Sequence, residues 1–113
     1  MNTSQIMANI PLPTRPKQKL NDVMKIISKY YGIPISDIKS KKRHEEIREA
    51  RNAFIRIARE KYQLTLTDTG RLVGNRHHTT IIHAMKNHTD ICEFHAPFRN
   101  RFTTIEKYIN DNL

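Results

Sequence analysis

The sequence predicts an all-α domain, and three observations carry that reading. Apolar residues recur at three- and four-residue spacing through most of the chain, the period of helices with one buried face. Helix stops separate those runs, at Gly32, at Gly74-Asn75 and at Pro97. The third observation is the stretch over residues 65–88, TLTDTGRLVGNRHHTTIIHAMKNH, which reads as helix, tight turn, helix. With 113 residues and 37% apolar content, the chain can build one small helical core but not two.

Residues 1–19 read as an extended, flexible arm. Pro11, Pro13 and Pro16 leave no room for a helix between them, and Arg15, Lys17 and Lys19 add positive charge. Such an arm is either a disordered leader, a segment lying along phosphates or in a minor groove, or a tether to another protein. The helical domain is expected over residues 20–113. Asn21 or Asp22 can cap a first helix running to Tyr31, with Val23, Ile26, Ile27 and Tyr30 on its core face and Gly32 as its stop. Tyr30 and Tyr31 are expected to pack rather than stack on bases. Ile33-Pro34-Ile35 is held extended, and Ser36 can cap a short turn of helix through Ile38.

Residues 39–61 carry nine Lys or Arg against four Glu. Lys41, Lys42 and Arg43 form the densest cluster, ahead of a long helix over residues 45–62. Its buried face is marked by Ile47, Ala50, Phe54, Ile57 and Ala58. Arg48, Arg51, Asn52 and Arg59 are expected at polar positions that can point at phosphates. As surface charges, Arg48 and Arg51 would pair with Glu45 and Glu46, three and five residues before them on the same helix, and a helical pair contributes only about 0.2–0.5 kcal/mol.

Thr65 can cap the next helix, with Asp68 completing a capping-box pattern three residues on. Leu66, Thr69, Leu72 and Val73 give that helix a mostly apolar face. Gly74 and Asn75 tolerate the left-handed conformation that ends it. A further helix starts near His77, continues to about Phe94 and is expected to carry Ile81, Ile82 and Met85 inward. Its first turn, Arg76-His77-His78-Thr79-Thr80, holds no aliphatic residue. Donors and acceptors facing outward from a helix start, with an apolar remainder facing inward, are what a DNA-recognition helix requires. After Pro97, Phe98, Phe102, Ile105, Tyr108 and Ile109 form the stripe of a last helix, which closes the core or, left uncovered, would favour an oligomer.

Net charge is +9 and the pI is near 10.0, which favours a polyanionic partner. One cysteine, Cys92, excludes an internal disulfide and fits a reducing, cytoplasmic setting. No apolar run approaches the roughly 20 residues a membrane helix needs, and the N-terminus carries no signal-peptide pattern, so neither membrane association nor secretion is expected. No phosphate-binding glycine loop is present, so no nucleotide is expected. No nucleophile has a recognisable setting, and the carboxylates form no evident acid–base pair, so the chain is not expected to be an enzyme. His77, His78, His83 and His88 lack the thiolates and convergent spacing of a zinc site; neither a metal nor another cofactor is expected.

The run GNRHHTTIIHA, residues 74–84, closely resembles the signature of the C-terminal, duplex-binding domain of the bacterial replication initiator DnaA. Gly74, Arg76, His78, Thr79, Thr80, His83 and Ala84 all fall in register. The likeness runs without gaps back to Ser40, where SKKR is similar to the start of that family's basic loop. It covers roughly residues 20–113, weakly after His88. Nothing in the chain resembles the family's nucleotide-hydrolysing module.

The resemblance implies a Trp-repressor-like helical domain that binds double-stranded DNA. It implies that Arg43 enters a minor groove and that His77, His78 and Thr79 read bases in the major groove. Arg51, Asn52, Arg59 and Thr80 then match positions that hold the phosphate backbone. Leu66 and Thr67 match residues whose amides approach a phosphate, and Arg76 and Lys86 complete the expected DNA-binding set. His83 is expected to be packed and hydrogen-bonded between the two helices. Three departures stand out: His77 replaces the family's Asp, Glu45 and Glu49 replace arginines beside Arg43, and Thr67 replaces a proline. The two glutamates are expected to repel phosphate.

The expected function is therefore a stand-alone, sequence-specific duplex-binding protein, at a replication-origin-type box or as a repressor at another site. Without the nucleotide module it is not expected to form an ATP-dependent assembly. The competing reading is an interaction module that binds replication proteins without base preference. RNA binding is a third, for which the chain lacks aromatic stacking platforms.

Overall fold

The computed structural model describes residues 16–113, with side chains from residue 19 onward. Every regular element among the described residues is helical: α1 (Pro16–Tyr31), α2 (Ile35–Ile38), α3 (Glu45–Glu60), α4 (Leu66–Leu72), α5 (His78–Phe94) and α6 (Ala96–Asn112). The all-α expectation holds. Residues 1–15, and with them most of the expected arm, lie outside the described residues.

The helix α1 begins at Pro16, ahead of the Asn21 and Asp22 caps expected from sequence. A proline is compatible with the first helical position, where no intrahelical partner awaits its missing N–H. Gly32 ends the helix at φ 69°. Ser36 does not cap α2; Pro34 holds the N-cap position with extended backbone and no side-chain bond.

The core is organised around α3. Ala50, Ala53, Phe54, Ile55, Ile57 and Ala58 are all buried there, against Val23 and Ile27 of α1, Ile81 of α5, and Phe102, Ile105 and Ile109 of α6. The alanines let neighbouring helices approach α3 closely, while Phe54 fills the space between them. Tyr108 falls outside the buried stripe of α6 and is exposed.

Thr65 caps α4 as its sequence pattern predicts, accepting from the Asp68 amide at 3.0 Å. The Asp68 carboxylate bonds Arg71 rather than reaching back to the cap. Gly74 and Asn75 adopt φ 93° and 57°, so the turn between α4 and α5 is built as expected. Gly74 also has a packing reason: a Cβ there would lie 2.1 Å from the Lys39 carbonyl oxygen. Gly70 is equally constrained, since its Cβ would lie 2.1 Å from the Arg76 carbonyl oxygen. These two close approaches press the turn against both α4 and the loop after α2.

Candidate nucleic-acid interface

The loop of residues 39–44 is positioned by two arginines. Arg51, in the middle of α3, donates from Nε to the Ile38 carbonyl at 2.7 Å. Its Nη2 donates to Asp37 O at 3.1 Å and to Ser40 O at 2.9 Å. Arg76, in the turn before α5, donates to the same Ser40 oxygen at 2.7 Å and to Val73 O at 3.1 Å. One carbonyl thus ties the basic loop to both α3 and the helix-turn-helix. Burial lowers the Arg51 pKa to about 10, with Arg76 and Arg48 adding to the effect, so Arg51 still carries its charge at neutral pH. Burial and the neighbouring Arg43 also lower that of Arg76.

Arg51 is not the surface charge its position suggests: it is 4% exposed, and its guanidinium donates to the Asp37, Ile38 and Ser40 carbonyls beside the cleft it helps to line. The expected ion pairs of Glu45 with Arg48 and Glu46 with Arg51 do not form among the described residues. Arg59 is likewise directed inward, donating to the Leu64 carbonyl across the α3–α4 connection. Asn52 is nearly buried but lines the bottom of two adjoining clefts.

The first cleft, of about 340 Å³, lies between the basic loop and α5. Arg43, Arg48, Asn52, Arg76, Thr80 and His83 line it. His83 is exposed there, contrary to the packed role expected of it. The histidine that is packed is His88, fully buried one turn and a half further along α5. Ile82 also departs from expectation: it is exposed, while Ile81 beside it is fully buried.

The start of α5 presents His77, His78, Thr79 and Thr80, all exposed. His77 is the N-cap. Its Nδ1 accepts from the Thr79 amide at 3.2 Å, which places the ring proton on Nε2. The His77 and His78 rings lie 4.1 Å apart at 37°. Asp, found here in the family that the sequence resembles, is also a strong N-cap. His77 therefore keeps the capping role while presenting a donor rather than a carboxylate outward. His77→Ala is expected to destabilise the domain by about 1 kcal/mol in urea titration, and His77→Asp to recover the loss.

Glu49, one of the two reversals beside Arg43, is compensated. Arg101 of α6 donates to it from Nε at 2.6 Å and from Nη2 at 2.9 Å, drawing its carboxylate away from the loop. That partner lies 52 residues downstream, so spacing within α3 gives no sign of it. Glu45 is exposed in the first turn of α3, two residues after Arg43. Leu66 packs on the core and Thr67 is exposed, at the N-terminus of α4; Lys86 is exposed on α5. Among the described residues, no group of three His, Cys, Asp or Glu can hold a metal, and no helix is long and apolar enough to cross a membrane.

The family described as "Bacterial dnaA protein helix-turn-helix" matches residues 20–87. The chromosomal replication initiator protein DnaA of Chromobacterium violaceum is 39% identical over 69 residues, 61% of this chain and 15% of that protein. The DnaA of Nitrosomonas eutropha is 39% identical over 77 residues, 68% of this chain and 16% of that protein. The chain thus spans about a sixth of the length of these curated relatives. A crystal structure of a DNA replication initiation factor superposes with a TM-score of 0.74 at 26% identity, covering 85% of this chain and 29% of the other. The chain belongs to the DnaA helix-turn-helix family, a family of DNA-binding domains.

Proposed function

We propose that the chain recognises double-stranded DNA sequence-specifically, at a replication-origin-type box. The first turn of α5 enters the major groove and Arg43 the neighbouring minor groove. His77, through Nε2, His78 and Thr79 contact base edges. Asn52, Arg76, Thr80, Lys86 and the α4 amides of Leu66 and Thr67 lie toward the backbone, with Arg51 and Arg59 supporting from behind. The observation that carries this reading is the coupling of two exposed basic or polar elements through Ser40. Arg51 and Arg76 hold the loop bearing Arg43 in fixed relation to the turn that opens α5. Two groove-reading elements on one rigid frame can fix both register and sequence.

Salt titration and base substitution test it together. Affinity for the preferred duplex is expected to fall with salt at a slope of about −0.9 per phosphate neutralised. His78→Ala is expected to cost about 1–3 kcal/mol on that duplex and little on random DNA. Equal losses on both duplexes would remove His78 from the base-reading set. Salt-independent binding, or none, would leave the chain as a protein-interaction module.

A further inference from the structure

A second cleft, of about 480 Å³, opens between the first turns of α3, the later turns of α5 and the start of α6. Its charge differs from that of the chain around it. Glu45, Glu46 and Glu49 meet two guanidiniums there, Arg48 and Arg101, whereas the whole chain carries 20 Lys and Arg against 11 Asp and Glu. Arg101 is taken up by Glu49, and neither Glu45 nor Glu46 makes an ion pair among the described residues. Carboxylates suit a helix N-terminus, which accounts for Glu45 and Glu46 but not for what lies beside them. The cleft also holds an apolar surface, from Phe98 at 8% exposure and partly buried Ile91. Two amides line it, Asn52 of α3 and Asn87 of α5. Asn52 is only 8% exposed, yet its amide makes no hydrogen bond among the described residues, so its donors and acceptor open only into the two clefts. His95 accepts the Phe98 amide at Nδ1 over 3.1 Å, which leaves its Nε2–H as a donor.

We infer that this cleft docks a basic peptide segment of a partner protein. A lysine or arginine of the segment meets Glu45 and Glu46, and an adjoining apolar side chain covers Ile91 and Phe98. Asn52 and Asn87 hydrogen-bond its backbone. Each part of the lining selects that occupant. Carboxylates attract an ammonium or guanidinium and repel phosphate, so a nucleic acid is disfavoured here. A side-chain amide offers a donor and an acceptor, the pair a peptide group needs. The apolar surface supplies affinity, while the exposed carboxylates supply charge complementarity and speed of encounter. The cleft's volume is in the range of ligand-binding clefts. Glu45, Glu46, Ile91 and Phe98 have no part in the DNA contacts proposed above, so this inference stands apart from them.

The test pans random peptides displayed on phage against the full chain. Enriched peptides are expected to place a lysine or arginine beside an aliphatic or aromatic residue. A synthetic copy of the most enriched is titrated against the unmodified chain, against Glu45→Lys combined with Glu46→Lys, and against Asp111→Lys, an exposed carboxylate at the far end of α6. Thermal unfolding checks that the variants fold. The double reversal is expected to weaken the peptide by about tenfold, and Asp111→Lys to leave it unchanged. In heteronuclear NMR spectra of the unmodified chain, the side-chain amide signals of Asn52 and Asn87 are expected to move as peptide is added. Enrichment of no peptide, the same affinity in all three proteins, equal weakening by both variants, or amide signals that stay in place would each overturn the proposal. Dimerisation of the chain that the double reversal abolishes would give the cleft to a second copy and overturn it as well.

Discussion

Arg51→Ala is expected to destabilise the domain by about 3–5 kcal/mol, a large share of what a domain of this size possesses. The substitution leaves the carbonyls of Asp37, Ile38 and Ser40 without the guanidinium that joins them to α3. It also opens a cavity at a position only 4% exposed. Arg51→Lys is expected to recover little, because one ammonium cannot match three carbonyls spread around a planar fork. Arg43→Ala gives the contrast. Its side chain is exposed, so unfolding is expected to change by less than about 0.5 kcal/mol while duplex affinity falls. Urea titration of the three variants beside duplex binding separates the residue that builds the interface from the residue that uses it.

A second large effect is expected from pH. His88 is fully buried between α3 and α6, its ring 5.0 Å from that of Phe98 and 4.6 Å from that of Phe102. Arg56 of α3 approaches Nδ1 at 3.4 Å while lying over the Phe102 ring, and the Cys92 thiol lies 3.8 Å from the same nitrogen. Its Nε2 is buried without a hydrogen-bond partner among the described residues. Burial, reinforced by the Arg56 charge, lowers the His88 pKa from 6.5 to about 4. Between these values the unfolded chain binds a proton that the folded chain refuses. Stability from this group is therefore complete above pH 6.5, falls as pH drops toward 4, and levels off below. The loss is on the order of 3 kcal/mol. Urea titrations at pH 7 and pH 4.5 are expected to show it, and His88→Leu to reduce the difference, since Leu has no proton to bind. An unchanged pH dependence in His88→Leu would assign the effect to other groups.

Much of this fold is legible in local chemistry. The Thr65 cap, the Gly74-Asn75 turn and the apolar spacing of α3 each follow from one helix considered alone. The match to the DnaA family over the turn and α5 likewise needs only contiguous residues. What sequence misses depends on distant neighbours. Helix α5 has apolar residues in several directions, at Ile81, Ile82, Met85, Ile91 and Phe94, so periodicity does not say which face α3 covers. That is why Ile82 and His83 emerge exposed and His88 buried. Arg51 reads as a surface charge because arginine is seldom interior, and its partners are carbonyls 11 to 14 residues upstream. Glu49 reads as repulsive because Arg101 lies on another helix.

The base-reading proposal is tested most directly by fluorescence anisotropy on a labelled duplex carrying the DnaA family's AT-rich box, at near-physiological salt. Unlabelled box and a scrambled duplex of the same composition serve as competitors. The account predicts that the box displaces the label at concentrations about tenfold lower, or more, than the scrambled duplex. Equal competition would contradict it: α5 and Arg43 would then hold DNA through its phosphates without reading that box.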